Sequence, residues 1–167
     1  NFSSIKFFVE PVVISLNYVD KMFEFKLYNM VGISGGGWTT IIYSAIDDRI
    51  TQNYAVAGMY PAYIHQLFHP ADYERIVSQL YENANALEFF VMSGYGDDRK
   101  AVQIFNKNDP GGRCGEFYKT YEEIVRLRIS QLGNGTFYGY LDDTHNEHKI
   151  SEHALSIILE HMNNLEW

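Results

Sequence analysis

The chain has 167 residues, a length typical of one domain that buries a substantial hydrophobic core. Its net charge of −8 at pH 7 excludes a general nucleic-acid binder, because such a protein needs a basic surface to offset the phosphates. The single cysteine excludes an internal disulfide framework and a four-cysteine metal site, and no apolar run is long enough to cross a bilayer.

Apolar residues at three- and four-residue spacing predict a first helix over 5–20, with Pro11 in or near its first turn. Strands and helices then alternate, which predicts one α/β domain over 1–167, with a parallel sheet of about four strands and helices on both faces. After the first helix, the predicted elements are a strand at 25–33, a helix at 38–46, a strand at 53–59 and an interrupted helix at 62–84. A strand at 87–93 is followed by a loop at 94–115, with a helical turn around 101–105. The last three elements are a helix at 116–132, a strand at 136–141 and a helix that Ser151 caps and that runs to about residue 163.

A glycine-rich turn joins the first predicted strand to the helix after it, with the sequence Gly-Ile-Ser-Gly-Gly-Gly over 32–37. Gly-x-Ser-x-Gly between an apolar run and a helix is typical of a nucleophile elbow, a turn so sharp that the serine adopts a strained backbone conformation. The N–H of Gly35 would then point to where an oxyanion forms during attack on a carbonyl. A simpler interpretation is that Ser34 only caps the following helix.

Two acidic residues follow the predicted strand at 87–93, in the sequence Gly-Asp97-Asp98-Arg. A carboxylate in a loop directly after a strand could contact a histidine and fix its tautomer. Solvated loop charges are the simpler interpretation of this pair. Asp109 is the reserve acid, although its Asp-Pro-Gly sequence is also an ordinary turn signal.

Two histidines, His145 and His148, follow the predicted strand at 136–141. Serine, acid and histidine therefore each follow a predicted strand, and the carboxyl ends of parallel strands meet at one edge of a sheet. A metal site is disfavoured here, because His-x-x-His on a loop lacks the fixed geometry of a helical pair and has no obvious further ligand.

The whole chain resembles the carboxyl-terminal part of an α/β-hydrolase of the serine esterase and prolyl-oligopeptidase-like kind. Three segments carry the resemblance, namely Gly-Ile-Ser-Gly-Gly-Gly-Trp at 32–38, Gly-Asp-Asp-Arg at 96–99 and His-Asn-Glu-His-Lys-Ile-Ser at 145–151. The resemblance implies that Ser34 is the nucleophile and that Asp97 is the acid, in preference to Asp98. It also implies a histidine base just before the last helix, with His148 favoured over His145 because it lies nearer the helix cap.

The sequence departs from this family at its amino-terminal end. An α/β-hydrolase has about four more strands before the elbow, and the loop after the third supplies a second oxyanion donor. Only 33 residues precede Ser34 here. We therefore expect a fragment, half of a two-piece enzyme completed by an N-terminal fragment, or a homo-oligomer that pairs through the elbow strand.

The function that these observations predict is cleavage of a small-molecule carboxylic ester, or a related acyl bond, by a Ser-His-Asp triad without a cofactor or a metal. A peptidase of the prolyl-oligopeptidase-like kind is the second enzymatic choice. The alternative from another class is a non-catalytic half-domain that acts as an oligomerising or binding module.

Overall fold

A computed structural model describes residues 3–65, 77–112 and 115–163, and a parallel four-stranded sheet lies at the centre of this part of the chain. Its strands lie in sequence order, and each pairs in parallel with the next: β1 Tyr28–Ile33, β2 Ile50–Val56, β3 Lys100–Asn106 and β4 Thr136–Asp142. The carboxyl ends of all four strands therefore lie along one edge of the sheet.

Helices cover both faces of this sheet. The helices of the described ranges are α1 Lys6–Met22, α2 Gly35–Ile46, α3 Ala62–His65, α4 Ser78–Tyr81, α5 Ala86–Gly94, α6 Glu122–Leu132 and α7 Glu152–Asn163, with a 3₁₀ turn at Phe117–Thr120. One hydrophobic cluster joins α2, α5 and α6 to one face, and a second joins α7 to the other. The predicted α/β class, with about four parallel strands between two helical layers, is confirmed.

Aromatic rings fill the larger of the two clusters. Phe90 of α5 lies 5.1 Å from Tyr121 and 5.8 Å from Phe137 of β4, measured between ring centroids. On β3, Phe105 stacks against Tyr60 at 4.4 Å. All five side chains are buried, so these aromatic residues form part of the core.

Two of the predicted elements are wrong. Residues 87–93, predicted as a strand, belong to helix α5, and the predicted loop over 94–115 contains strand β3. Helix α5 begins with a capping box, in which the Asn85 side chain accepts hydrogen bonds from the N–H groups of Leu87 and Glu88 while the Glu88 carboxylate accepts from Asn85 N–H.

Arg99, directly before β3, links the sheet to two helices on one of its faces. Its buried guanidinium donates to the carbonyl oxygens of Ile50 at 3.2 Å, Met92 at 3.1 Å and Tyr95 at 3.2 Å, and also to that of Ser44. One side chain therefore satisfies carbonyls from β2 and from the ends of two helices, which would otherwise lack partners.

The outer edge of β1 is open within the described ranges, since β1 pairs with β2 alone. Val31 on this strand is 43% exposed. Helix α1, which packs against α2 through its other face, carries an exposed apolar stripe at four- and three-residue spacing. This stripe consists of Phe7, Pro11, Ile14, Tyr18 and Met22.

Candidate active site

Ser34 occupies a strained turn between β1 and α2, with φ 58° and ψ −122°. A residue with a side chain rarely adopts this backbone conformation, which costs about 1–3 kcal/mol. The backbone is held on both sides, because Ser34 N–H donates to Val56 O at 3.0 Å and Ser34 O accepts from Trp38 N–H at 2.9 Å. The Ser34 side chain makes no capping hydrogen bond to α2, so the interpretation of Ser34 as a simple helix cap is wrong.

Two of the glycines around Ser34 are required by close backbone contacts. A Cβ on Gly32 would lie 2.3 Å from Gly36 O, and a Cβ on Gly37 would lie 2.9 Å from Gly58 Cα. Apart from the backbone of its own helix and its chain neighbours, a Cβ on Gly36 would meet no atom of the described residues within 4 Å. Gly35 is the first residue of α2, so its N–H has no acceptor inside the helix and remains the predicted oxyanion donor.

His148 and Asp109 form a hydrogen-bonded pair at the carboxyl-terminal edge of the sheet. His148 Nδ1 lies 2.9 Å from Asp109 Oδ1 and 2.8 Å from Asp109 Oδ2. The Asp109 side chain is fully buried, whereas the His148 side chain is 31% exposed. Gly111 N–H donates to Asp109 Oδ1 at 2.7 Å and leaves Oδ2 for other donors. This arrangement places a proton on His148 Nδ1 and leaves Nε2 as the acceptor.

The structure does not bring Asp97 to this pair. Asp97 lies in the turn before β3, is exposed, and accepts a hydrogen bond from Asn134 Nδ2 at 2.6 Å. Asp98 in the same turn is also exposed. Because β3 spans seven residues, this turn lies about 20 Å from the opposite end of the strand, where Asp109 follows. The expectation depended on a strand at 87–93, which is helical.

His145 lies near His148 but is engaged within its own loop. Its Nδ1 accepts a hydrogen bond from Glu147 N–H at 3.1 Å, and its Nε2 lies 3.2 Å from Asp142 Oδ2. The side chain is only 8% exposed. Both ring nitrogens are therefore directed at the loop, and the geometry favours His148 as a base.

Asp142, the last residue of β4, organises the loop that carries His148. Its carboxylate accepts hydrogen bonds from the Ser151 hydroxyl, which in turn caps α7 through Ala154 N–H at 2.9 Å, and from Thr144 N–H at 3.0 Å. Burial opposes ionisation of Asp142, but these hydrogen bonds outweigh it and lower the pKa of the carboxyl group. The predicted cap at Ser151 is confirmed.

Ser34, Asp109 and His148 share one edge of the sheet. Near this edge, Ile33 of β1 pairs with Val56 of β2, Val56 pairs with Ile104 of β3, and Ile104 pairs with Tyr140 of β4. The loops that follow β1, β3 and β4 therefore emerge side by side, which is where ligands bind in open α/β sheets.

The described ranges contain no cluster of three or more His, Cys, Asp or Glu side chains arranged to hold a metal ion. In the same ranges, the helices lack the length and apolar character needed to span a membrane.

No protein-family model matches this sequence, and no curated protein matches it. Solved structures, in contrast, do match this chain. The chain is similar to an acetyl xylan esterase from Paenibacillus sp. R4, with a TM-score of 0.56 and 10% identity over 92% of this chain. It is similar to the acylaminoacyl peptidase of Pyrococcus horikoshii, with a TM-score of 0.58 and 13% identity over 90% of this chain. It is also similar to a glucuronoyl esterase from Solibacter usitatus, with a TM-score of 0.58 and 13% identity over 92% of this chain.

The matched part covers 51% of the acetyl xylan esterase chain, 26% of the peptidase chain and 46% of the glucuronoyl esterase chain. This chain therefore spans about half the length, or less, of these three structures. These similarities, together with the strained turn between β1 and α2 and the parallel sheet, show that the chain has the fold of part of an α/β-hydrolase.

Proposed function

We propose that this chain carries the catalytic residues of a serine hydrolase that cleaves a carboxylic ester or a related acyl bond. Ser34 is the nucleophile, His148 the general base and Asp109 the acid that orients it. The observation that carries the proposal is the contact of His148 with the buried Asp109 carboxylate, at 2.8 Å, on the same sheet edge as the strained turn at Ser34.

Each residue has a defined chemical task in this proposal. His148 Nε2 takes the proton from the Ser34 hydroxyl as Oγ forms a bond to the carbonyl carbon, and Gly35 N–H donates to the resulting oxyanion. His148 then gives that proton to the leaving alcohol as the acyl bond breaks. Water, deprotonated by His148 in the same way, attacks the acyl-enzyme and releases the acid with Ser34 regenerated.

Asp109 supports both halves of this cycle. It accepts the Nδ1 proton of His148, which leaves Nε2 facing outward as the base, and its charge stabilises the imidazolium that forms. Its buried position, with a hydrogen bond from Gly111 N–H, fixes the carboxylate in place before substrate arrives. An exposed carboxylate such as Asp97 offers no such preorganisation.

We further propose that the assembled enzyme is completed at the β1 edge, by a complementing N-terminal fragment or by a second copy of this chain. Within the described residues, β1 has a strand neighbour on one side only and the stripe on α1 is exposed, and both features support this proposal. A covering segment would also be positioned to supply a second oxyanion donor beside Gly35 N–H.

The same surface features support one alternative, a half-domain that serves only in assembly. In that case the Ser34 turn and the Asp109–His148 pair would be present without turnover. The two candidates differ in the reactivity of Ser34, because only an assembled base and oxyanion donor activate its hydroxyl.

The test is the intact mass of the protein after incubation with a fluorophosphonate, recorded with the native mass of the assembly. We expect stoichiometric labelling that Ser34→Ala abolishes. Asp109→Asn should slow labelling by about 10³–10⁴-fold, because the amide favours the wrong histidine tautomer. The matched control, Asp97→Asn, makes the same chemical change in an exposed turn and should stay within about twofold of the wild type.

Two results would contradict the proposal. Absence of labelling in a folded wild-type assembly would leave the assembly-only alternative. Equal losses in Asp109→Asn and Asp97→Asn would refute the assignment of the acid. The bond that is cleaved is tested separately, with a p-nitrophenyl ester and a p-nitroanilide of the same acyl group, and we expect faster turnover of the ester.

A further inference from the structure

Asn106, the last residue of β3, is completely buried and lies directly beneath the Asp109–His148 pair. Its side-chain nitrogen faces three acceptors. These are Asp109 Oδ2 at 3.2 Å, Glu147 O at 3.3 Å and Lys149 O at 3.1 Å.

The three acceptors belong to the two halves of the candidate dyad. One is the carboxylate that accepts the His148 proton, and the other two are the backbone carbonyls on either side of His148. A single amide group therefore links the acid loop after β3 to the histidine loop after β4. The strand beneath holds this amide rigidly, because Asn106 is paired in register with Asp142 of β4.

The environment requires a hydrogen-bond donor at this position. All three neighbours are acceptors, so the amide must turn its NH₂ group toward them. Its oxygen, Oδ1, is then buried without a hydrogen-bond partner in the described part of the chain. An aspartate of the same shape would place a second carboxylate against Asp109 and against two carbonyl oxygens, and a leucine would offer no donor.

A second buried asparagine, Asn53 on β2, provides a comparison. Its Nδ2 donates to Ser93 O at 2.8 Å and to Lys100 O at 3.3 Å, both backbone carbonyls of the scaffold. Asn53 thus makes the same type of interaction as Asn106, at similar burial, without contacting either member of the dyad.

We propose that Asn106 is a positioning residue that fixes the orientation of Asp109 and His148 relative to one another, an inference that rests on the proposed function of the Ser34 site. Asn106 Nδ2 donates to the backbone carbonyls on either side of His148 and to one oxygen of Asp109. These contacts keep the proton on His148 Nδ1 and keep Nε2 available to Ser34. Loss of its NH₂ group releases the histidine loop and lets the Nε2–H tautomer form.

The experiment compares Asn106→Leu with Asn53→Leu, which removes a buried donor of the same kind from the scaffold. The tautomer of His148 is measured from the ¹⁵N chemical shifts of both ring nitrogens in histidine-labelled protein, and the rate of fluorophosphonate labelling is measured in parallel. Asn106→Ser, a smaller change that cannot span both loops, serves if the leucine variant does not fold.

We expect wild type and Asn53→Leu to show the Nδ1–H tautomer, and both Asn106 variants to show a mixture of tautomers. Labelling of Ser34 should be about 100-fold slower in the Asn106 variants, as expected when a reacting group is misplaced by about 1 Å. An unchanged tautomer in both Asn106 variants, or an equal change in Asn53→Leu, would overturn the inference.

The tautomer does not depend on turnover, so it separates this inference from the proposed function. A tautomer change confined to the Asn106 variants supports the positioning role even where wild type never reacts with the fluorophosphonate. In that case the proposed hydrolase activity fails and the role of Asn106 in orienting the pair stands.

Discussion

Gly32 and Gly36 stand two residues on either side of Ser34, and an alanine is expected to have opposite effects at the two positions. At Gly32, the new Cβ would lie 2.3 Å from the carbonyl oxygen of Gly36 and 2.6 Å from Thr40 Oγ1. At Gly36, which is inside α2, it would meet no described atom within 4 Å beyond the backbone of the helix itself. The two variants add the same methyl group within one turn of backbone, so each serves as the control for the other.

The magnitudes follow from these distances. Ordinary contacts of a Cβ begin near 3.4 Å, so Gly32→Ala must displace the first turn of α2 by about 1 Å. Overpacking of this kind costs about 1–3 kcal/mol, and more where backbone must move. Gly36→Ala should instead stabilise the protein by about 0.5–1 kcal/mol, because alanine loses less conformational entropy than glycine in a helix.

Thermal unfolding and the rate of fluorophosphonate labelling measure the two consequences. For a domain of this size, 1 kcal/mol corresponds to about 2–4 °C in Tm, so Gly36→Ala should raise Tm by a few degrees and Gly32→Ala should lower it by about 5–10 °C. Labelling of Ser34 should fall about 100-fold in Gly32→Ala only. A Gly32→Ala protein as stable as wild type would refute the packing argument for the elbow.

Three further predictions concern the scaffold. Arg99→Met removes the donor from four carbonyls, two of them in buried contacts, and should lower the free energy of unfolding by more than about 3 kcal/mol in urea titrations; a loss below about 1 kcal/mol would contradict this. Hydrogen bonds from Arg49 lower the pKa of Asp47 to about 2 from 3.8, so this carboxylate stabilises the fold above about pH 4 and loses the contribution as pH falls toward 2. Asp47→Asn should therefore cost about 1–2 kcal/mol at pH 7 and almost nothing at pH 2, and an equal cost at both pH values would rule out the linkage. Val31→Lys, on the open edge of β1, should lower the native mass of any assembly that forms through this edge without changing Tm by more than a few degrees, whereas an unchanged mass would place the contact elsewhere.

The sequence predicted the fold class because its strongest local patterns agree with the final structure. The apolar run before Ser34, the glycine turn and the helix after it form one unit, and the strained backbone predicted for Ser34 is confirmed at φ 58°. The last strand and the cap at Ser151 were equally clear, since turn residues and a capping serine bound them on both sides.

The error over 87–105 has a physical explanation. A short apolar run such as Leu-Glu-Phe-Phe-Val-Met fits a helix as well as a strand, and tertiary packing decides between them. The signal that would have resolved it is the capping box of Asn85 and Glu88, which marks a helix start. Strand β3 is buried on both faces and paired on both edges, so its Ala-Val-Gln-Ile-Phe sequence lacks the alternation of a half-exposed strand.

Because of that error, the candidate acid was sought in the turn before β3, whereas Asp109 lies in the loop after β3. With the strand placed at 87–93, the first carboxylate after it was Asp97; with the strand at its true position, the first is Asp109. The contribution of Asn106 was beyond sequence reasoning, because it depends on three acceptors that two separate loops bring together.

The backbone strain at Ser34 also raises the question of why a serine, and not a glycine, occupies this position. A domain of this size has a net stability of about 5–15 kcal/mol, of which one strained residue uses about 1–3 kcal/mol. Glycine at position 34 would adopt φ 58° without that cost, and a chain under selection for assembly alone would be more stable with it. A serine in this conformation is therefore a thermodynamic burden, and the nucleophilic role that we propose for its hydroxyl group would account for it.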